Sequence, residues 1–353
     1  MNGFVFEAHL PRVVFGEGAL AQLPQEVERL GARRALVLST PEQADAARRV
    51  AELLGDRSAG VFAHAVMHVP VEVAREARDE ARRLGADCAV AIGGGSTTGL
   101  GKAIAMDSGL PVLAIPTTYA GSEMTPIYGL TDGGVKKTGR DPRVLPKTVI
   151  YDPQLTLSLP VGLSVTSGIN AIAHAAEGLY AHDGNPIVAL MAEEGIRALA
   201  TALPALHAAP QSLPARAQAL HGAWLCGAVL GHVAMGLHHK LCHTLGGSFD
   251  LPHADVHTVV LPHALAYNAG HAREAMARIA RALGAGEPAV ALQELARRLG
   301  APTSLRVIGM PADGLDRAAD LAVSAPYPNP RPLERTALRA LLQRAFEGAE
   351  PLA

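Results

Sequence analysis

The sequence predicts an α/β N-terminal domain built on a doubly wound, mostly parallel sheet, joined to an all-α C-terminal domain. Three features carry that expectation. Short apolar runs alternate with amphipathic stretches through the first half, and glycine- and hydroxyl-rich turns follow several of those runs. Beyond Asp152-Pro153 the texture changes to long Ala/Leu/Arg segments. The expected domains are therefore 1–153 and 154–353, a size that suits two separate cores.

In chain order the apolar runs are 35–38, 61–66, 88–92, 112–115 and 149–151, and the amphipathic stretches among them are 41–54, 71–84 and 99–107. Short apolar runs bounded by Gly or Pro suit strands buried on both faces of a parallel sheet, and the periodic stretches suit crossover helices. Ligands in such sheets sit beyond the C-terminal strand ends. In the second half, segments 166–181, 187–208, 213–231, 235–246, 272–283, 288–299 and 334–346 place apolar residues at helical spacing.

Hydrophobic residues make up 49% and charged residues 18%, which excludes disorder, and no uninterrupted apolar stretch reaches membrane-span length. A net charge of −2, from 31 basic and 33 acidic residues, offers no electrostatic footprint for nucleic acid. The opening MNGFVFEAHLPRVVFG lacks the pattern of a secretory signal, so a cytoplasmic protein is expected. Cys88, Cys226 and Cys242 are widely spaced and fit reduced, buried thiols.

The run 88–92 leads into Gly93-Gly94-Gly95-Ser96 and then a helical stretch. Glycines let backbone approach a phosphate, and the unpaired N–H groups of a helix start attract anionic oxygen. The spacing matches neither the dinucleotide fingerprint, since Thr98 stands where its last Gly would be, nor the P-loop, since Lys102 is followed by Ala103. A second polar turn, Thr117-Thr118-Tyr119-Ala120-Gly121-Ser122-Glu123, follows the next strand, and the two turns can line one nucleotide. At a third strand end, Ser39 and Thr40 present no carboxylate to repel a 2′-phosphate, so both NADH and NADPH are expected.

Fifteen histidines are present, densest between His238 and His253. On a helix His239 and His243 share a face, and upstream Asn170 and His174 have the same spacing of four. The helix carrying the first pair is expected to end at Gly246-Gly247, with His253 returning beyond the break. His207, His221, His232, His257 and His271 stand outside this set and read as structural or solvated, and His263 is left open. Three imidazoles with an anionic oxygen would hold Fe or Zn, but Asn170 supplies only a neutral amide. The same histidines can instead donate protons and bind anions, since imidazole titrates near neutrality.

Several marks together resemble the iron-containing alcohol dehydrogenase superfamily, the group III dehydrogenases, over nearly the whole chain. They are Phe15-Gly16-Glu17-Gly18, Gly93–Ser96, Ile115-Pro116-Thr117-Thr118, Gly121-Ser122-Glu123, Asp152-Pro153, the Asn170/His174 and His239/His243/His253 segments, Leu261-Pro262-His263 and Asn329-Pro330-Arg331-Pro332. The resemblance implies a dehydroquinate synthase-like architecture. In metal-bearing members it implies Asp, His, His and His as ligands, at the positions of Asn170, His174, His239 and His253. Asn170 departs from that pattern, as does Gly99, where the superfamily usually has Asp. Both departures are similar to the maleylacetate reductase branch, which implies reduction of the carbon–carbon double bond of a 4-oxo-2-enedioate without an essential metal, by a homodimer.

On that resemblance His243 and His253 are the expected proton donors and enolate stabilisers, and Asn170, His174, His239 and Lys240 line the substrate pocket. Ser39, Thr40, Gly93, Gly94, Gly95, Ser96, Thr117, Thr118, Ser122 and Lys137 are the expected cofactor-binding residues, and no metal ligand is assigned. Lys136, Lys137, Arg140 and Lys240 are candidate partners for the substrate carboxylates. Two alternatives remain: a metal-dependent alcohol or aldehyde dehydrogenase of the same fold, and a dehydroquinate synthase-like lyase.

Overall fold

The computed structural model describes residues 3–133 and 135–352, without the side chains of Val135 and Lys136. It divides into two compact units, His9–Leu159 and a helical unit of Pro160–Ala353 with Met1–Ala8. The first unit runs β1 (Arg12–Phe15), α1 (Leu23–Arg29), β2 (Ala35–Leu38), α2 (Ala44–Leu54), β3 (Ser58–Phe62) and α3 (Val71–Arg83). It continues with β4 (Cys88–Gly93), α4 (Gly95–Ser108), β5 (Val112–Pro116), β6 (Ile127–Asp132), β7 (Val135–Arg140) and β8 (Thr148–Tyr151).

Six strands form one sheet in the order β1-β8-β5-β4-β2-β3, every neighbouring pair parallel, while β6 and β7 make a separate antiparallel hairpin. Alternate residues of each strand bury on opposite faces. Val37, Val90 and Ile92 pack with Val27 of α1 and Val50 of α2, whereas Leu36, Leu38 and Ala89 pack with Ala77 of α3 and Ile104 of α4. The sheet is therefore doubly wound, and continuous apolar runs are what two-sided burial requires. Neighbouring β2 and β4 send their helices to opposite faces, which makes their C-terminal ends a topological switch point.

Two of the sequence marks have a structural role. The Asp152 carboxylate accepts from the amides of Gly18, Leu20 and Gln154 at 3.1–3.2 Å, tying the end of β8 to the turn after β1. Gly18, at φ +72°, allows that turn.

The helical unit comprises α5 (Val161–Leu179), α6 (Pro186–Ala208), α7 (Leu213–His232), α8 (Leu237–Phe249), α9 (His253–Asn268), α10 (Arg273–Leu283), α11 (Pro288–Arg298), α12 (Gly314–Val323) and α13 (Arg335–Glu347). Its core gathers Leu241 and Leu245 of α8, Val256 and Val260 of α9, Ala318 of α12 and Leu342 of α13. Among the described residues no single helix is long and apolar enough to cross a membrane; the bent pair α7 and α8 passes such a test by length and composition only.

Two expectations about the second half are corrected. The helix bearing His239 and His243 does not end at Gly246-Gly247 but runs through both to Phe249, ending where Asp250 turns left-handed at φ +52°. The expected helical segments also leave out 253–268. His253 opens α9, which is buried on almost every side and so shows no amphipathic period in the sequence. The three cysteines are free and buried.

Candidate active site

Each unit carries one group of candidate side chains. In the α/β unit, Ser39 and Thr40 follow β2, and the glycine turn leads from β4 into α4, on either side of the switch point. Gly93 sits at φ +152°, and a Cβ there would strike the Thr97 side chain and lie 2.8 Å from Gln43 Oε1. A Cβ at Gly94 would lie 3.1 Å from Thr118 Cγ2, so the first turn packs bare backbone against the second. The Thr117 amide donates to the Gly93 carbonyl at 3.0 Å, and Gln43 Nε2 donates to Thr117 Oγ1 at 2.9 Å. Three strand ends are thereby tied together, and α4 begins without a side-chain cap. Uncapped amides beside bare backbone at a switch point suit an anionic ligand such as a phosphate.

The other expected cofactor residues differ in exposure. Thr40, Ser96, Thr118 and Ser122 are half-buried and Gly95 is exposed. Ser39 is fully buried and donates its hydroxyl proton to the Thr40 carbonyl. Lys137 is exposed on β7 and ion-paired with Asp132 at 2.9 Å, while the side chain of Lys136 lies outside the described residues. Sequence reasoning misses Gln43, whose signal is only a polar residue in the turn after β2. Exposed Glu42 precedes it, its carboxyl pulled down by its own backbone amide and by Thr40.

In the helical unit α5 presents Asn170, His174 and Glu177 at spacings of four and three, which places them along one face. All three are buried, as are His238 and His239 of α8 and His257 of α9. Glu177 is also missed by sequence reasoning, and it organises the cluster. Its carboxylate accepts from the amides of Gly236 (3.0 Å), His238 (2.9 Å) and His239 (3.3 Å), the uncapped start of α8. It accepts further from His239 Nδ1 at 2.7 Å and from the Tyr180 hydroxyl at 3.3 Å. A Cβ at Gly236 would lie 3.2 Å from Glu177 Oε1, so glycine leaves the space that the carboxylate needs. Burial pushes the Glu177 pKa up, but His239 and the α8 amides outweigh it and the net shift is downward. With its Nδ1 proton committed to Glu177, His239 turns Nε2 to the other side of its ring.

His257 belongs to this cluster, which corrects its reading as an isolated structural histidine. Its ring centroid lies 4.4 Å from His253, 5.0 Å from His239 and 6.3 Å from His174, and its Nδ1 is 3.0 Å from His238 Nε2. His253 lies four residues before it in the same helix, a spacing that goes unread where the segment is not recognised as helical, and the other neighbours come from α5 and α8. His174, His238 and His257 are held well below the ordinary imidazole range, first by burial and then by neighbouring imidazoles, so they are neutral near pH 7. His253 is half-buried, His243 exposed with its ring 6.2 Å from His239, and Lys240 half-buried with Nζ 6.0 Å from the Tyr327 ring.

The superfamily's ligand positions hold Asn170, His174, His239 and His253, with no carboxylate among them. Asn170 Oδ1, His174 Nδ1 and His239 Nε2 are buried without a hydrogen-bond partner and so are open to a ligand. Asn170 brings no charge to the set, and the Glu177 carboxylate reaches it only through His239. The ligand nitrogens also fail to converge: among the described residues the one trio with ligand atoms mutually within 4.8 Å is His238, Cys242 and His257, none at those positions. The short His238–His257 contact is a hydrogen bond between two rings.

Comparison with known proteins agrees with this architecture. The model of the iron-containing alcohol dehydrogenase family matches residues 11–153, and that of the family's C-terminal part matches 164–346. A maleylacetate reductase of Burkholderia cepacia is 68% identical over 99% of this chain and 100% of its own. The crystal structure of a maleylacetate reductase from Agrobacterium tumefaciens is 56% identical, with TM-score 0.96 over 99% of this chain and 100% of that one. A putative alcohol dehydrogenase from Ralstonia eutropha JMP134 is 67% identical with TM-score 0.99, again covering 99% and 100% of the two chains. The chain belongs to the iron-containing alcohol dehydrogenase family.

Proposed function

We propose that the protein is an NAD(P)H-dependent maleylacetate reductase that converts maleylacetate to 3-oxoadipate without an essential metal. The observation that carries this reading is the buried, unpartnered set of Asn170 Oδ1, His174 Nδ1 and His239 Nε2, with an amide where a carboxylate would hold a metal, in a chain 68% identical to a protein named for that reaction. The α/β unit binds the nucleotide at the turns beyond β2, β4 and β5, and the helical unit supplies the proton chemistry. The two hydroxyl-bearing residues after β2 accommodate either NADH or NADPH. The active species is a cytoplasmic homodimer.

The substrate's own ketone polarises its double bond. Hydride from the nicotinamide adds to the alkene carbon β to the ketone, the carbon–carbon π bond breaks, and its electrons move to the ketone oxygen as an enolate. A proton then forms the C–H bond at the carbon between, and the ketone is restored. A conjugated enolate can be held by preorganised hydrogen-bond donors in place of a Lewis acid. His243 and His253 are assigned to this step, because His243 is exposed and His253 half-buried, so both can regain protons from water, while the buried His174, His238 and His257 stay neutral. Glu177 holds His239 in one tautomer, and Lys240 faces a substrate carboxylate.

The test is NADH oxidation with maleylacetate beside simple aldehydes, using nicotinamide deuterated at C4. The expected result is fast turnover of maleylacetate alone, with deuterium at the carbon β to the ketone of the product. Deuterium at a carbinol carbon, or preference for aldehydes, refutes the proposal; absence of net NADH consumption would point to a lyase.

A further inference from the structure

Lys102 fails the P-loop signature and has no part in the chemistry above, yet it is among the most deeply buried side chains of the α/β unit, 1% exposed. It stands two turns into α4, the helix that begins at the glycine turn. Its Nζ donates to the carbonyls of Ser122 (2.7 Å), Thr125 (2.8 Å) and Ile127 (2.6 Å), and to Thr125 Oγ1 (3.0 Å). Burial lowers the Lys102 pKa to about 7, and four oxygens around one nitrogen suit its ammonium form, whose three protons all find acceptors. Those oxygens belong to Ser122 in the second polar turn, to Thr125 just beyond it and to the first residue of β6.

We propose that Lys102 is a positioning residue for the nucleotide: it locks the second turn onto the helix that begins at the first, so that both are preset before the cofactor arrives. The inference rests on the nucleotide-site reading above. The direct bonds between the turns, Thr117 to Gly93 and Gln43 to Thr117, lie at the strand ends, and Lys102 is the link beneath them. Without it the chain from Gly121 to Ile127 keeps few bonds to α4, and the ordering cost of that segment falls on nucleotide binding.

The test uses the full-length enzyme carrying Lys102→Met, with Thr125→Val as a milder variant that removes one acceptor and Gly94→Val as a direct block of the turn. In Lys102→Met the NADH dissociation constant and KM should rise at least tenfold and kcat at saturating NADH should fall less than threefold. Amide exchange should quicken in 121–132 and stay unchanged in the helical unit. Thr125→Val should shift KM in the same direction by roughly threefold, a readout that stands even if Lys102→Met does not fold. Unchanged NADH affinity in both lysine-cage variants, while Gly94→Val loses it, overturns the inference. So does a parallel loss of kcat, affinity and exchange protection throughout the chain, the signature of general destabilisation. Unchanged affinity in Gly94→Val overturns the nucleotide-site reading, and this inference with it.

Discussion

At the residue scale the arrangement turns on one buried carboxylate. Glu177→Ala would strip acceptors from three amides and one imidazole at once, and groups so orphaned typically cost about 3–5 kcal/mol. Glu177→Gln keeps one acceptor oxygen and should recover part of that loss, but its NH2 group should favour the other His239 tautomer. Thermal melts read the first effect and 15N shifts of His239 the second; unchanged shifts in Glu177→Gln would show that Glu177 does not set the tautomer. His243 gives a cleaner case, because its side chain is exposed. His243→Ala should lower kcat by about a hundredfold to ten-thousandfold, the usual range for a general acid. Stability should move by no more than about 0.5 kcal/mol, as at other surface positions. Near-normal turnover would pass the proton to His253.

At the scale of elements, legibility in the sequence follows periodicity. Strands β2, β4, β5 and β8 are readable because burial on both faces writes an unbroken apolar run, and α6 and α11 because one face is wet. Helix α9 is not readable, since burial all round and the run Thr258-Val259-Val260 erase the helical signal. The hairpin of β6 and β7 escapes for the opposite reason: its described side chains are half-exposed or exposed, with no buried face to mark it. The site obeys the same rule. Pairs four apart on a recognised helix are legible, and His253/His257 is missed only because α9 is; Glu177, Gln43 and Lys102 matter through contacts between elements distant in sequence. The departure at Gly99 also has a physical reason, because a Cβ there would lie 2.8 Å from Val69 Cγ2, on a valine held at φ +46°. Gly99→Asp should therefore destabilise by about 1–3 kcal/mol, the usual range for overpacking, as read by denaturant midpoint. No change would mean that Val69 yields freely.

At the scale of the whole molecule, several imidazoles are buried neutral. Burial first, and Arg344 second, lower the His263 pKa to about 4, against about 6.5 in an unfolded chain. Between those values the unfolded chain binds the extra proton, so stability is complete above about pH 6.5 and is lost as pH falls toward 4. For His263 alone the loss amounts to about 3 kcal/mol, and His174, His238 and His257 add in the same direction. His263→Leu should flatten part of the slope of unfolding free energy across that window; an identical slope would show that His263 is not the group titrating. Reduction of a conjugated double bond by the histidine cluster without a metal is tested most directly by the rate of maleylacetate-dependent NADH oxidation in enzyme stripped with chelator and checked for metal by elemental analysis. Full activity in metal-free enzyme, unaltered by added Fe or Zn, is the predicted result; activity lost on stripping and restored by either ion would contradict it.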